Sequence, residues 1–327
     1  MRTRSFGASG ITASEVGFGV WTISTGWWGD VSDDDAVRLV HEALDLGITF
    51  FDTADTYGEG RGERLLARAL AGRRDEVTIA TKFGYDIYSP WERTGHAERP
   101  QDWSPEYVRF ALEQSLARLG TDHVDLYQLH NPRLDAIQSD EVFAVLEDAR
   151  DAGKIRGYGV ALGPAIGWRD EGIWAIEQRP LAAVQIIHNM LEQDPGRELL
   201  GLAGERGVGA MVRVPHSSGM LEGRYTRDTV FAENDHRRHR KREWLLEGVQ
   251  KVERLSFLTE RRTLGQAAIR WLLADPTVTT VLPNIYGSEQ LREFAAAADV
   301  PDLSDEELRR VAELYARNFD VEPVAAG

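Results

Sequence analysis

The sequence contains no cysteine, and no run of apolar residues in it is long enough to span a membrane. The first absence excludes disulfide bonds, thiolate metal sites and cysteine nucleophiles, and it suits a reducing compartment. The N-terminal sequence MRTRSFGASG lacks the apolar core of a signal peptide. We therefore expect a cytoplasmic protein, and nothing in the sequence predicts a metal site.

Positive charge is scarce as well. The chain of 327 residues carries 38 lysine and arginine residues against 53 aspartate and glutamate residues, a formal net charge of -15. Such a chain repels nucleic acid and anionic membranes in general, and we expect neither as a partner. The predicted partner is a small molecule, and a homo-oligomer stays open. An anionic ligand would need a local site of backbone amides and a few placed side chains.

Short apolar runs alternate with helical patterns along the chain. A hairpin is predicted from residues 2–6 and 11–15, which flank the turn-rich segment GASG. Strands are then predicted at 16–21, 48–51, 77–82, 124–130, 157–160, 181–186, 208–214 and 278–282. Helices are predicted near 33–46, 63–71, 105–119, 135–152, 173–178, 196–206, 244–258, 264–274, 288–298 and 304–316.

Eight strand–helix units fit a (β/α)8 barrel better than a doubly wound sheet. The first βα loop carries no glycine-rich dinucleotide fingerprint, and no linker or change of composition divides the chain. The predicted fold class is α/β, a (β/α)8 TIM barrel with an N-terminal β-hairpin and extra C-terminal helices. Residues 1–327 are expected to form one domain.

Polar side chains end three successive predicted strands. The stretch ITFFDTADTYGEG turns from apolar to polar at Asp52, and a carboxylate at the end of a buried strand is costly unless a cation pairs with it. Lys82 ends the next strand and His130 the one after. Each residue alone is more often structural than functional, but together with Tyr57 they indicate a site at one end of a parallel sheet.

Four segments carry a family resemblance. In chain order, FDTADTYGEGRGERLLARAL, TKFG, VDLYQLHNP and VPHSSGMLEGRY resemble the aspartate-to-tyrosine signature, the lysine segment, the histidine segment and the phosphate loop of the aldo-keto reductases. The match runs nearly end to end. The resemblance implies an NAD(P)-dependent enzyme whose catalytic residues are Asp52, Tyr57, Lys82 and His130, named the tetrad from here on.

The chemistry explains why these residue types occur together. Hydride transfer from a nicotinamide to a carbonyl builds negative charge on the carbonyl oxygen, to which a proton must be delivered. The phenol of tyrosine has a pKa of about 10 in water, so a lysine ammonium nearby is needed to stabilise the phenolate. Asp52 would orient Lys82, and His130 would hydrogen-bond the carbonyl oxygen or relay the proton. Tyr57 is then the general acid in reduction and the general base in oxidation.

The resemblance also implies a site for NADP(H) or NAD(H). The matched positions are Gly19, Trp21, Asp52, Gln185, Arg213, Val214, Pro215, His216, Ser218, Gly219, Leu221, Asn284, Tyr286, Ser288 and Gln290. Two departures stand out: Ala161 and Leu162 replace the usual Ser-Asn pair that helps hold the carboxamide, and His216 replaces the usual leucine. The adenosine loop 283–290 lacks the lysine or arginine that members preferring a 2'-phosphate place there. Arg292 lies off the matched positions, which weakens the case for strict NADP preference.

Aromatic loop residues are candidates for a substrate pocket above the nicotinamide. The predicted substrate-binding residues are Trp21, Trp28, Tyr57, Tyr85 and His130. The basic run 237–242 could bind an anion, but its acidic neighbours favour a solvent-exposed helix start.

The predicted function is NAD(P)H-dependent reduction of an aldehyde or ketone, including a sugar-like one. Two alternatives stay open. One is an NAD-dependent sugar or alcohol dehydrogenase on the same scaffold, which the missing phosphate-binding arginine favours. The other is a nucleotide-sensing subunit of low turnover, since the chain also resembles channel β-subunits.

Overall fold

Eight parallel strands follow one another around a barrel, and a separate antiparallel hairpin precedes them. The computed structural model describes residues 1–92, 98–163, 168–232 and 235–322. The strands of the described chain are β1 (Thr3–Ser5), β2 (Thr12–Ser14), β3 (Phe18–Gly19), β4 (Phe50–Asp52), β5 (Thr78–Phe83), β6 (Val124–His130), β7 (Ile155–Ala161), β8 (Ala183–Ile187), β9 (Gly209–Arg213) and β10 (Val278–Leu282).

Helices follow the barrel strands and cover their outer face. Those in the described ranges are α1 (Trp21–Ser24), α2 (Asp33–Asp45), α3 (Arg61–Ala69), α4 (Pro105–Leu119), α5 (Leu134–Gln138), α6 (Asp140–Asp151), α7 (Arg169–Gln178), α8 (Gly196–Arg206), α9 (Arg242–Glu253), α10 (Leu264–Leu273), α11 (Ser288–Ala295) and α12 (Asp305–Ala316). Within the described chain, no helix is long and apolar enough to cross a membrane.

The barrel closes between β10 and the segment just before β3. The amide of Gly17 donates to Val281 O, and the amide of Val281 donates to Glu15 O, each at 2.9 Å. The remaining neighbours pair in chain order from β3 to β10. The predicted (β/α)8 barrel with an N-terminal hairpin is therefore confirmed.

Local sequence sets the ends of the helices. At α4, the Ser104 side chain accepts from the Tyr107 amide, Pro105 occupies the first turn, and Gly120 ends the helix in the left-handed region. The apolar face between these ends packs on the barrel together with its neighbours in the main core. The predicted helix 105–119 has these same bounds.

The inner face of the barrel is layered. A lower apolar layer includes Phe50 of β4, Ala80 of β5, Leu126 of β6 and Met211 of β9, packed on the hairpin residue Phe6. Side chains on one face of a strand recur every second residue. The next inward positions are therefore Asp52, Lys82, Gln128 and Arg213, which places polar groups directly above an apolar floor.

Three local predictions are wrong. The strand predicted at 16–21 ends at Gly19, because Trp21 begins the short helix α1. The single helix predicted at 135–152 is divided at Ser139, whose backbone is extended and whose side chain accepts from the Val142 amide as the N-cap of α6. The helix predicted at 244–258 ends at Glu253, and residues 256–259 form a separate 3-10 turn.

Candidate active site

A cavity of about 500 Å³ opens at the carboxyl ends of the barrel strands. This end of a TIM barrel is where active sites are built, because the βα loops meet there. The residues predicted to function that line it are Gly19, Trp21, Trp28, Asp52, Tyr57, His130, Gln185, Arg213, Val214, Ser218 and Asn284. The fold thus gathers most of the predicted site around one cavity.

Asp52 and Lys82 form a buried ion pair below the cavity. Lys82 Nζ donates to Asp52 Oδ2 at 2.6 Å and to Thr53 O at 2.7 Å. The amide nitrogens of Gln128 and Gln185 each donate to Asp52 Oδ1 at 3.1 Å. Burial alone would lower the pKa of Lys82, but the Asp52 carboxylate and the Tyr57 hydroxyl group together outweigh it, and the pKa lies above the ordinary value. Lys82 is therefore a fixed ammonium.

Tyr57 is placed over that ammonium by the turn after β4. The distance from Lys82 Nζ to the Tyr57 hydroxyl is 3.2 Å. The chain then turns sharply at Gly58, where φ is 58° and a Cβ atom would lie 2.5 Å from the carbonyl oxygen of Ser24. Only glycine fits there without displacing the backbone, so the glycines after Tyr57 fix its position.

His130 stands on the other side of Tyr57. The two rings meet edge to face with centroids 5.9 Å apart, and the His130 carbonyl accepts from Gln101 Nε2 at 2.9 Å. Burial, reinforced by the charges of Lys82 and Arg213, holds the pKa of His130 well below its ordinary value. The imidazole is therefore neutral near pH 7.

Residues of β7 and β9 form the wall near His130. Arg213 donates to the Leu162 carbonyl oxygen at 2.6 Å. The backbone of Ala161–Leu162, the pair that replaces the usual Ser-Asn, therefore orients this guanidinium. Ala161 itself lines the cavity and presents only a methyl group. Burial lowers the pKa of Arg213. The nearby Tyr57 and Asp52 groups oppose this shift, because they favour the charged guanidinium.

The loop after β9 forms the far wall and is conformationally strained. Val214, Ser217 and Ser218 have positive φ angles of 57°, 46° and 58°. A β-branched residue is a genuine outlier in this region, and such strain concentrates at functional sites. Arg240 Nη2 donates to Ser218 Oγ at 3.1 Å, and both residues line the cavity.

The other predicted cofactor residues lie outside this lining: Pro215, His216, Gly219, Leu221, Tyr286, Ser288 and Gln290. Buried His216 stacks on Phe294 with centroids 4.4 Å apart, and its Nε2 lies 3.0 Å from the Gly265 carbonyl oxygen. Tyr286 stacks on Trp28 at 5.5 Å. The roles of these residues stay predictions.

Tyr85 and one residue of the basic run 237–242, Arg237, are placed differently from expectation. Tyr85 is absent from the cavity lining, and its hydroxyl donates to Glu98 and accepts from Asn131 Nδ2. The prediction of an exposed helix start holds for Arg238, Arg240, Lys241 and Arg242, which are exposed and lead into α9 at Arg242. Arg237 is largely buried, with its guanidinium 4.3 Å from the Trp28 ring. The side chain of His239 in this run lies outside the described part.

Comparison with known proteins agrees with this geometry. The model of the Aldo/keto reductase family matches residues 15–316. This chain belongs to the aldo/keto reductase family. Relatives include the aldo-keto reductase YhdN of Bacillus subtilis, 29% identical over 92% of this chain and 88% of the relative. The NADH-specific methylglyoxal reductase of Escherichia coli is 30% identical over 97% and 100%. The structure of glycerol dehydrogenase from Gluconobacter oxydans matches with a TM-score of 0.82 at 28% identity, over 99% and 98%.

Sequence reasoning missed several residues of this aldo/keto reductase site, among them Gln128 and Arg240; Thr22, Asn131, Ile187, Glu192 and Leu282 also line the cavity. Gln128 holds Asp52 from β6, and strand periodicity could have revealed it, because Gln128 lies two residues before His130 on the same face. Arg240 lies in a segment without strand or helix pattern. No local signal places it next to Ser218, so only the folded loop shows that it lines the cavity.

Proposed function

We propose that this aldo/keto reductase uses NAD(P)H to reduce an aldehyde or ketone to an alcohol, with Tyr57 as the general acid. The observation that carries the proposal is the position of Lys82 Nζ, within hydrogen-bonding distance of both Asp52 Oδ2 and the Tyr57 hydroxyl. The ammonium stabilises the phenolate that remains when Tyr57 gives its proton to the substrate oxygen.

His130 has a different role from Tyr57. A neutral imidazole carries one N–H donor and one acceptor nitrogen. With its pKa well below the ordinary value, His130 has no second proton to give near pH 7. Its N–H therefore binds the carbonyl oxygen and holds it beside Tyr57, and the proton comes from the phenol.

The residues around the cavity fit a nicotinamide dinucleotide. Gln185 commits its amide nitrogen to Asp52, so its amide oxygen is the group it offers to a carboxamide. The strained loop at Ser218, with the cation of Arg240 beside it, suits a pyrophosphate. When bound, the nicotinamide supplies or accepts the hydride. Trp21 and Trp28 border the space left for a small carbonyl substrate.

Alcohol oxidation with NAD(P)+ is the second candidate. The likeness to the structure of glycerol dehydrogenase favours it. The same constellation serves both directions, because a general acid in reduction is a general base in oxidation. A panel of small aldehydes, ketones, sugars and polyols, assayed with both nucleotides in both directions, distinguishes the two.

The test of the catalytic assignment is Tyr57→Phe. We expect turnover to fall by about 10²- to 10⁴-fold, because the proton donor is lost. Nucleotide affinity, measured by fluorescence titration, should stay within a few-fold. Tyr127→Phe is the matched control, since the Tyr127 hydroxyl is buried without a partner among the described residues. Turnover of Tyr57→Phe close to that of the control would show that Tyr57 is not the acid.

A further inference from the structure

The N-terminal end of α11 lies beside the cavity. Pro283 and Asn284, in the loop that leads into this helix, line the cavity. The N-cap is Gly287, which has no side chain to satisfy the first amides of the helix. Helix ends of this kind attract anions, and in TIM barrels the loops after the last two strands commonly form a phosphate site with such a helix.

A carboxylate of the chain itself is already bound there. Glu42, on α2, accepts from Ser288 Oγ at 2.6 Å through Oε2 and from Arg292 Nε at 2.6 Å through Oε1. Ser288 is the first residue of α11 and Arg292 lies one turn further on. Both oxygens of Glu42 are thus engaged, and its negative charge lies next to the start of the helix.

The second arginine near α11 is also engaged. Arg224 Nη1 lies 3.0 Å from Glu289 Oε1, and Arg224 Nη2 lies 2.9 Å from Glu293 Oε2. Arg224 and Arg292 each have a carboxylate partner. An incoming phosphate would have to displace one of these carboxylates to gain an arginine.

We propose that Glu42 makes this chain prefer NAD(H) over NADP(H), an inference that rests on the proposed function and deepens it. A dinucleotide with its nicotinamide at the tetrad would extend along the cavity toward Pro283 and Asn284, the cavity residues that lead into α11. There the Glu42 carboxylate repels a 2'-phosphate and withholds Arg292 from it. A ribose hydroxyl is uncharged and meets no such repulsion.

The experiment is isothermal titration of the full chain and its variants with NADH and NADPH, and with AMP and adenosine 2',5'-bisphosphate. The last two probe the adenosine end without the tetrad. Wild type should bind NADH more tightly than NADPH. Glu42→Gln should tighten NADPH and the bisphosphate by about tenfold or more, because a charge-assisted hydrogen bond to Arg292 becomes available. The affinities for NADH and AMP should change by less than about threefold, which is the effect expected of a substitution at the surface.

Two variants serve as controls. Asp34→Asn removes the same charge from the first turn of α2, where Asp34 pairs with Arg68, and should leave all four affinities unchanged. Adding Arg292→Gln to Glu42→Gln should reverse most of the gain for NADPH. The gain should also shrink as salt is raised.

Different failures have different meanings. Binding of both dinucleotides with the same NADPH-to-NADH ratio in wild type and Glu42→Gln would overturn this inference and leave the proposed function standing. Absence of binding by every nucleotide would overturn both. Thermal unfolding of Glu42→Gln close to wild type establishes that an unchanged ratio comes from a folded variant.

Discussion

At the scale of single residues, Lys82 links the buried Asp52 carboxylate to the Tyr57 hydroxyl at the cavity. Its ammonium has three oxygen partners, from Asp52, Thr53 and Tyr57, and almost no contact with solvent. A charge in such a place is kept only because the Asp52 carboxylate compensates for the lost hydration. Removing either member of the pair leaves the other buried and uncompensated.

We predict that Lys82→Met lowers turnover by on the order of 10²-fold or more, because the phenolate of Tyr57 loses its stabilising charge. Any basic limb of the pH–rate profile should move to higher pH. The measurement is the profile of kcat between pH 6 and pH 10 for the variant and for Lys154→Met, a surface lysine paired with Glu113. A profile unchanged in both rate and position would rule out this role for Lys82.

The same substitution should also destabilise the fold. Among the described residues, the Asp52 carboxylate would keep only the amides of Gln128 and Gln185 as hydrogen-bond partners. Breaking a buried ion pair costs about 3–5 kcal/mol. Adding Asp52→Asn should recover part of that loss, because the uncompensated charge disappears. Urea unfolding of the single and double variants separates this effect from the catalytic one.

At the scale of secondary-structure elements, the ends of helices are set by side chains that bind the backbone. At α12, Ser304 Oγ accepts from the Glu307 amide at 3.2 Å, and Glu307 Oε2 accepts from the Ser304 amide at 2.7 Å. This reciprocal pair is a capping box. It anchors a helix whose residues Val311 and Leu314 pack into the second core cluster.

We predict that Ser304→Ala lowers the free energy of unfolding by about 1 kcal/mol, because the Glu307 amide loses its acceptor. Ser304→Asp keeps an acceptor at the same place and should stay close to wild type. Urea denaturation followed by circular dichroism measures both. Equal losses in the two variants would show that the cap contributes nothing and that the serine hydroxyl acts otherwise.

At the scale of the whole molecule, buried neutral histidines make stability depend on pH. Burial lowers the pKa of His216 to about 4, despite its contact with the Gly265 carbonyl. In an unfolded chain a histidine has a pKa of about 6.5. Between these two values the unfolded state binds a proton that the folded state does not, so stability falls as the pH drops from 6.5 toward 4.

We predict that His216→Leu reduces this sensitivity to acid. Between pH 6.5 and pH 5, the wild type should lose about 2 kcal/mol more unfolding free energy than the variant. The reason is that one pKa unit corresponds to about 1.4 kcal/mol. Urea unfolding of both proteins at pH 7 and pH 5 measures the shift. A difference that does not change with pH would mean that His216 gains its proton as easily folded as unfolded.

Also at the scale of the whole molecule, the first and last parts of the barrel sequence pair with each other. β10 pairs with residues just before β3, so the two ends of the barrel sequence stabilise one another. We propose from this pairing that the chain folds as one domain.

The sequence by itself determined the barrel and placed Asp52, Lys82 and His130 near the carboxyl ends of successive strands. The catalytic roles of the tetrad stay predictions that rest on the family resemblance. Alternation of apolar runs and helical patterns is a local property, and the period of two along β4, β5 and β6 directs Asp52, Lys82 and His130 to the same face. The caps at Ser104 and Gly120 are local too, which is why the bounds of α4 could be predicted. Where local signals competed, as at Ser139, the prediction was wrong.

Only the tertiary structure decided which distant residues surround the site. Ser288 meets Glu42 across 246 positions of sequence, and Gln185 meets Asp52 across 133. Arg240 reaches Ser218 from a loop without periodicity. Such contacts depend on how far each helix and loop is displaced along the barrel. The packing of large side chains between elements sets that displacement. No short stretch of sequence encodes this packing.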